Sequence, residues 1–67
     1  IFPNPVRDEV FIKNAGGSSN EKLLLDAAGR VLMRTRQDSF DLQTMDSGIY
    51  FISVPQFSEK RYKVIKL

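Results

Sequence analysis

The chain contains no histidine and no cysteine, which removes the side chain that titrates nearest neutral pH and the usual thiol nucleophile. Any chemistry would have to rest on carboxylates, hydroxyls and amines. Asp8 and Glu9 are adjacent, so on a strand they point to opposite faces and cannot work as a paired general acid and base. They read as solvated charges flanking a strand. Ser18, Ser19, Ser39, Ser47, Ser53 and Ser58 have no imidazole partner, and Ser58, Glu59 and Lys60 offer only a serine near a lysine. Asp38 and Asp41 could supply two oxygen ligands to Ca²⁺, but no acidic calcium-binding loop surrounds them and both fall within a strand pattern. Surface solubility explains them better. The expectation is no catalytic residue, no metal site and no cofactor.

The residues whose pattern asks for an explanation are basic. Glu59 to Leu67 carries four Lys or Arg against one acid, whereas the first 58 residues carry six against seven, so the positive net charge of +2 comes from the last nine residues. Lys60, Arg61, Tyr62, Lys63, Val64, Ile65, Lys66 and Leu67 form one basic, β-prone run. Terminal residues fray unless tied down, so this end is expected to be held in a sheet or read by a partner. With Tyr50, Phe51, Phe57 and Tyr62 nearby, it could suggest a surface that stacks single-stranded nucleic acid. The rest of the chain is near neutral, however, and a phosphate-tracking surface needs basic residues on several strands. Nucleic acid is not an expected partner.

The elements that position this run are short and β-like. Ile1 to Val6 opens extended, because Pro3 and Pro5 fix their own φ and restrict Phe2 and Asn4, which suits an edge. Asp8 to Lys13 reads as a strand with Val10 and Ile12 on one face, followed by a Gly- and Ser-rich loop from Asn14 to Asn20. The clearest local signal is Leu23 to Met33, two apolar runs around Ala27, Ala28 and Gly29. Those three suit a type I turn completed by Gly29 in the left-handed region as a bulge. The implied register pairs Asp26 with Arg30, Leu25 with Val31, Leu24 with Leu32 and Leu23 with Met33, placing Leu23, Leu25, Val31 and Met33 on the core face and Lys22 on the other.

Gln37 to Leu42 reads as a strand with Phe40 and Leu42 on one side, and Gln43 to Ser47 as one helical turn before Gly48 takes positive φ. Gly48 to Val54 is apolar on both faces, as for an interior strand covered on two sides, and Pro55 to Ser58 turns the chain. In the final strand, Val64 and Ile65 suggest a bulge or a change of neighbours. Turn signals between short strands predict an all-β fold, a small antiparallel sandwich of about seven strands.

A chain of 67 residues allows one domain, with about 60% of its unfolded surface buried. The longest apolar stretches are Leu23 to Leu25, Val31 to Met33 and Ile49 to Ile52, far short of the roughly 18 residues of a spanning helix. No membrane insertion is expected. A start at Ile1 rather than Met is expected of a piece cut from a longer protein, with any signal peptide upstream.

Three segments together resemble a known family. Phe2, Pro3, Asn4, Pro5 and Val6, then Asp26 to Val31, then Met45 to Phe51 with the Lys63, Val64, Ile65, Lys66 ending, are similar to the type A C-terminal sorting domain of the type IX secretion system. Members close large secreted or cell-surface proteins of the Bacteroidota. The resemblance implies an immunoglobulin-like β-sandwich that acts as a secretion signal. The implied partners are the outer-membrane translocon, a cell-surface sortase-like peptidase that commonly removes the domain, and an upstream cargo. It also implies a route through the periplasm to the cell surface or beyond. By position, Pro3, Asn4 and Pro5 match the opening motif, Gly29 and Arg30 the hairpin, and Gly48 and Tyr50 the glycine motif. Lys63, Val64, Ile65, Lys66 and Leu67 match the terminus that the machinery would contact. Ala28 departs from the bulky apolar residue usual before that glycine. The competing expectation is a carbohydrate-binding or adhesive module appended to a secreted enzyme, although the chain has no Trp and only two Tyr.

Overall fold

The computed structural model describes residues 5–12, 20–56 and 59–67. Six strands form there, β1 Glu9–Phe11, β2 Lys22–Leu25, β3 Val31–Thr35, β4 Ser39–Asp41, β5 Gly48–Ser53 and β6 Arg61–Lys66. β1 and β4 make a two-stranded sheet, and the other four make a sheet in the order β3-β2-β5-β6, with every ladder antiparallel. One apolar cluster joins them, with Val10, Ile12, Phe40 and Leu42 from the first layer meeting Leu24, Ile52, Val54 and Val64 from the second. This is the all-β sandwich expected.

About seven strands were expected and six form among the described residues. Of the opening segment, the described part contributes a parallel bridge, Val6 beside Lys66. Pro5, directly before it, has no N–H to extend the pairing. Val6 is nonetheless fully buried. Its N–H donates to the Ile65 carbonyl and its carbonyl accepts from the Leu67 N–H, both at 2.8 Å. Pro3, Asn4 and the loop expected from Asn14 onward to residue 19 lie outside the described residues. In the smaller sheet, Ile12 N–H to the Asp38 carbonyl and Leu42 N–H to the Asp8 carbonyl continue the β1–β4 pairing past both strand ends.

The β2–β3 turn forms as its residues dictate. Asp26 and Arg30 close it, Gly29 N–H donates to the Asp26 carbonyl at 3.0 Å, and Gly29 sits at φ 89°. Beyond Leu25 and Val31 the expected register fails, because a bulge at Leu32 shifts the pairing to Leu24 with Met33 and Leu23 with Arg34. The core face is corrected only in part, since Leu25 is buried and Met33 packs against the core cluster as expected. Leu24 is fully buried opposite Ile52, while Val31 is exposed.

The physical reason is that β2 is interior to its sheet, so β5 sets its facing. Ile52 is buried in the core, and Leu24 opposite it on β2 follows. Period-2 alternation then carries Lys22 into the core as well, where it is fully buried. Its ammonium is satisfied there by oxygen partners, donating to Asp38 Oδ1 at 2.9 Å and the Arg36 carbonyl at 3.1 Å. Asp38 is therefore the counterion of a buried cation.

Three smaller expectations are also revised. No helical turn forms after β4; Met45 N–H closes a β-turn on the Leu42 carbonyl at 3.0 Å, and Asp41 Oδ1 accepts the Gln43 N–H at 2.9 Å. β5 is covered on one face only, since Ile49 is 45% exposed. The final strand has no bulge, because pairing runs unbroken from Gly48 with Lys66 to Ser53 with Arg61. Val64 and Ile65 simply point opposite ways.

Replacing Leu24 with Ala leaves a cavity beside Ile52 and should cost about 3 kcal/mol. The same change at half-buried Leu23, on the other face, should cost about 1 kcal/mol. Urea denaturation of the two variants checks the face assignment, and the reverse ranking would contradict it.

Candidate interaction surface

β6 divides its residues by parity. Tyr62, Val64 and Lys66 face inward and Arg61, Lys63 and Ile65 outward, as their cross-strand partners Ile52, Tyr50 and Gly48 against Ser53, Phe51 and Ile49 require. The residues expected to be read by a partner therefore separate. Val64 is fully buried core. Lys66, expected to be an exposed contact residue, is 8% exposed, and its Nζ donates to the Leu67 carbonyl at 2.8 Å. Its strand position on the inner face, between β5 and Val6, explains the correction. Lys63 is exposed, Ile65 is 39% exposed and Leu67 is 49% exposed.

These outward residues belong to a larger surface. Register places Val31, Leu25, Phe51 and Lys63 in one row across the four-stranded sheet, with Ile49 beside Ile65 in another. Ile49, Val31 and Ile65 are large apolar side chains left open to water, and Lys63 and Arg61 edge them. The sequence concealed this surface because the alternating residues of β5 looked apolar on both sides and suggested two covering layers. Pairing Ile49 with Ile65 was the signal that could have exposed it.

At one end of the surface the hairpin turn is pinned by Asp26. Its Oδ1 accepts the Ala28 and Arg30 N–H groups, each at 2.9 Å, and its Oδ2 accepts Arg30 Nε at 2.8 Å. Arg30 is thus a clamp on its own turn, and Asp26 was missed as the hub because the sequence supports only a cross-strand charge pair. These donors, the Arg30 N–H foremost, hold the Asp26 carboxyl below the usual carboxylate range against a lesser effect of desolvation. A cleft of about 240 Å³ opens beside the turn, lined by Asp26, Ala27, Ala28, Gly29, Phe51 and Arg61.

The remaining motif positions serve the backbone and core. Gly48 begins β5 at φ 153°. Tyr50 packs against the core, and its hydroxyl donates to the Asp46 carbonyl at 2.7 Å, tying β5 to the turn before it. Pro5 is exposed just before the Val6 bridge. Among the described residues no group of acidic side chains is placed to hold a metal ion, and no helix is long and apolar enough to cross a membrane.

A family model described as the secretion system C-terminal sorting domain matches residues 1–66. The chain belongs to that family, the sorting domains of type IX secretion. No curated protein and no solved structure matches it. A type IX sorting domain is a secretion signal rather than a catalyst, engages the type IX machinery and marks its protein for the cell surface or the extracellular space. In these terms the sorting domain has an inner face that builds the sandwich and an outer face that building the sandwich does not explain.

A carboxyl titrating lower in the folded than in the unfolded state stabilises the fold above the unfolded value, and loses that contribution as pH falls through the folded one. The sorting domain should therefore be more stable than its Asp26→Asn variant at neutral pH. The difference should close as the pH drops below about 4. Thermal melts of both proteins between neutral and acid pH measure it, and a constant difference across the range would contradict the role given to Asp26.

Proposed function

We propose that the type IX machinery reads the outward residues of β6, Lys63 and Ile65, with Leu67 just beyond the strand, together with Ile49 of β5. The observation that carries this reading is the exposure of three large apolar residues, Ile49, Ile65 and Leu67, around an exposed Lys63. Contiguous apolar surface on a small domain is costly to leave in water and marks interaction sites. Val64 and Lys66 serve recognition indirectly, by fixing which residues of β6 face out.

In the proposed sequence of events this domain closes a longer secreted protein. The cargo crosses the inner membrane by an upstream signal peptide and folds in the periplasm. The domain then docks on the outer-membrane translocon, and a cell-surface sortase-like peptidase severs it from the cargo. Loss of the sorting domain after export makes the signal single-use. The carbohydrate-binding alternative needs a platform of aromatic rings on an open face, and both tyrosines, Tyr50 and Tyr62, lie on the inner face of the sheet. That leaves Phe51 as the aromatic of this sheet's outer face among the described strands.

Residues 1–67 fused to a periplasmic reporter should carry it to the surface or medium of a host with a type IX system. Retention inside the cell would overturn the sorting role. Ile65→Asp should leave the melting curve nearly unchanged and reduce export by about tenfold or more, as for a buried interface anchor. Export at the parental level would remove the outer row from recognition.

A further inference from the structure

We propose that the cleft beside the β2–β3 turn is a socket for one carboxylate side chain, borne on an acidic and apolar segment of the export machinery that lies across the outer face. The inference rests on the sorting role and adds to it a specific contact and the chemistry of the partner.

Four observations converge on the cleft. Its volume of about 240 Å³ lies below the roughly 300 to 1,000 Å³ of small-molecule pockets, which suits a single side chain rather than a free ligand. Arg61 lines it and, among the described residues, has no ion-pair partner, whereas Lys22, Arg30 and Arg34 are each matched with a carboxylate. Asp26, on the same wall, is turned to the hairpin, its two oxygens accepting three donors from Ala28 and Arg30 and none from Arg61. Gly29 lets the guanidinium lie close to the turn, since an added Cβ there would already stand in van der Waals contact with Arg61 Nη1 at 3.6 Å.

The surroundings select the partner. Phe51, Ala27 and Ala28 give the cleft apolar walls beside Arg61, against which the apolar stem of an acidic side chain can pack. A guanidinium presents a fork of donors that matches a carboxylate in two parallel bonds. Phe51 and Arg61 both face outward on the sheet, with Lys63 opposite Phe51. A segment occupying the socket therefore continues over Lys63 towards Ile65 and Ile49, and must alternate acidic with apolar groups. Cations interspersed with isoleucines favour such a protein segment over a polyanionic lipid headgroup, which calls for a cluster of basic residues.

The test uses the full domain fused to a reporter in a type IX host. Arg61→Gln and Arg61→Glu should each lower export by about tenfold or more, the loss expected for a charge-assisted hydrogen-bonded pair, with circular dichroism and melting unchanged. Arg61→Lys, which keeps charge without the fork, should fall between these and the parent. Parental export of the Arg61→Glu fusion overturns the socket alone, whereas retention of the unsubstituted fusion overturns the sorting role beneath it. A benzophenone amino acid at Ala28 should crosslink to an outer-membrane protein, and one at Glu9, on the other sheet, should not. Crosslinking at Glu9 only, or to lipopolysaccharide from Ala28, overturns the assignment of a protein partner.

Discussion

The sandwich depends on its final strand having a neighbour on each edge. β5 pairs with β6 along its whole length, and Val6 closes the far edge through hydrogen bonds to Ile65 and from Leu67. An edge strand at a chain end would otherwise be the first element to fray and an open template for pairing with other chains. Here the first and last described segments secure each other, and Val6 and Val64 both enter the core from that junction. With Val64 fixed inward, every other residue of β6 is fixed in direction as well. The basic terminus is thus a rigid row of alternating residues rather than a charged tail.

That rigidity separates stability from recognition. Inward positions join the apolar cluster or its margin, and even the lysines carried inward find oxygen partners, Lys22 on Asp38 and Arg36 and Lys66 on the Leu67 carbonyl. Burying a charge without such partners would cost far more than the surrounding contacts return. Outward positions contribute comparatively little to the core and leave isoleucines in water. A protein segment that docks on this face gains that apolar area without having to order a flexible end, because the sheet has already done so.

Local rules made part of this legible in the sequence. Gly29 after two alanines specified the turn, Val10 with Ile12 and Phe40 with Leu42 specified the inner faces of β1 and β4, and the three segments shared with the sorting domains specified the family. What failed was decided by partners far away in the chain. The facing of Leu24, and so the burial of Lys22, is set by β5, nearly thirty residues on from Leu24, by way of Ile52. The bulge at Leu32 breaks a register that the turn alone would propagate. Lys63 to Leu67 reads as one contiguous run in the sequence, whereas the β5 ladder turns Val64 and Lys66 inward and Lys63 and Ile65 outward. The cleft beside the hairpin is not legible either, because it arises from the juxtaposition of the turn with Phe51 and Arg61, which no local spacing encodes.

Amide hydrogen exchange at Leu67 tests the clamped terminus most directly. Its N–H donates to the Val6 carbonyl, so its exchange should be slowed by about a hundredfold or more relative to an unstructured chain and should track global unfolding. Exchange within a few-fold of the unstructured rate would mean a frayed end with no fixed outward row, and would contradict the account.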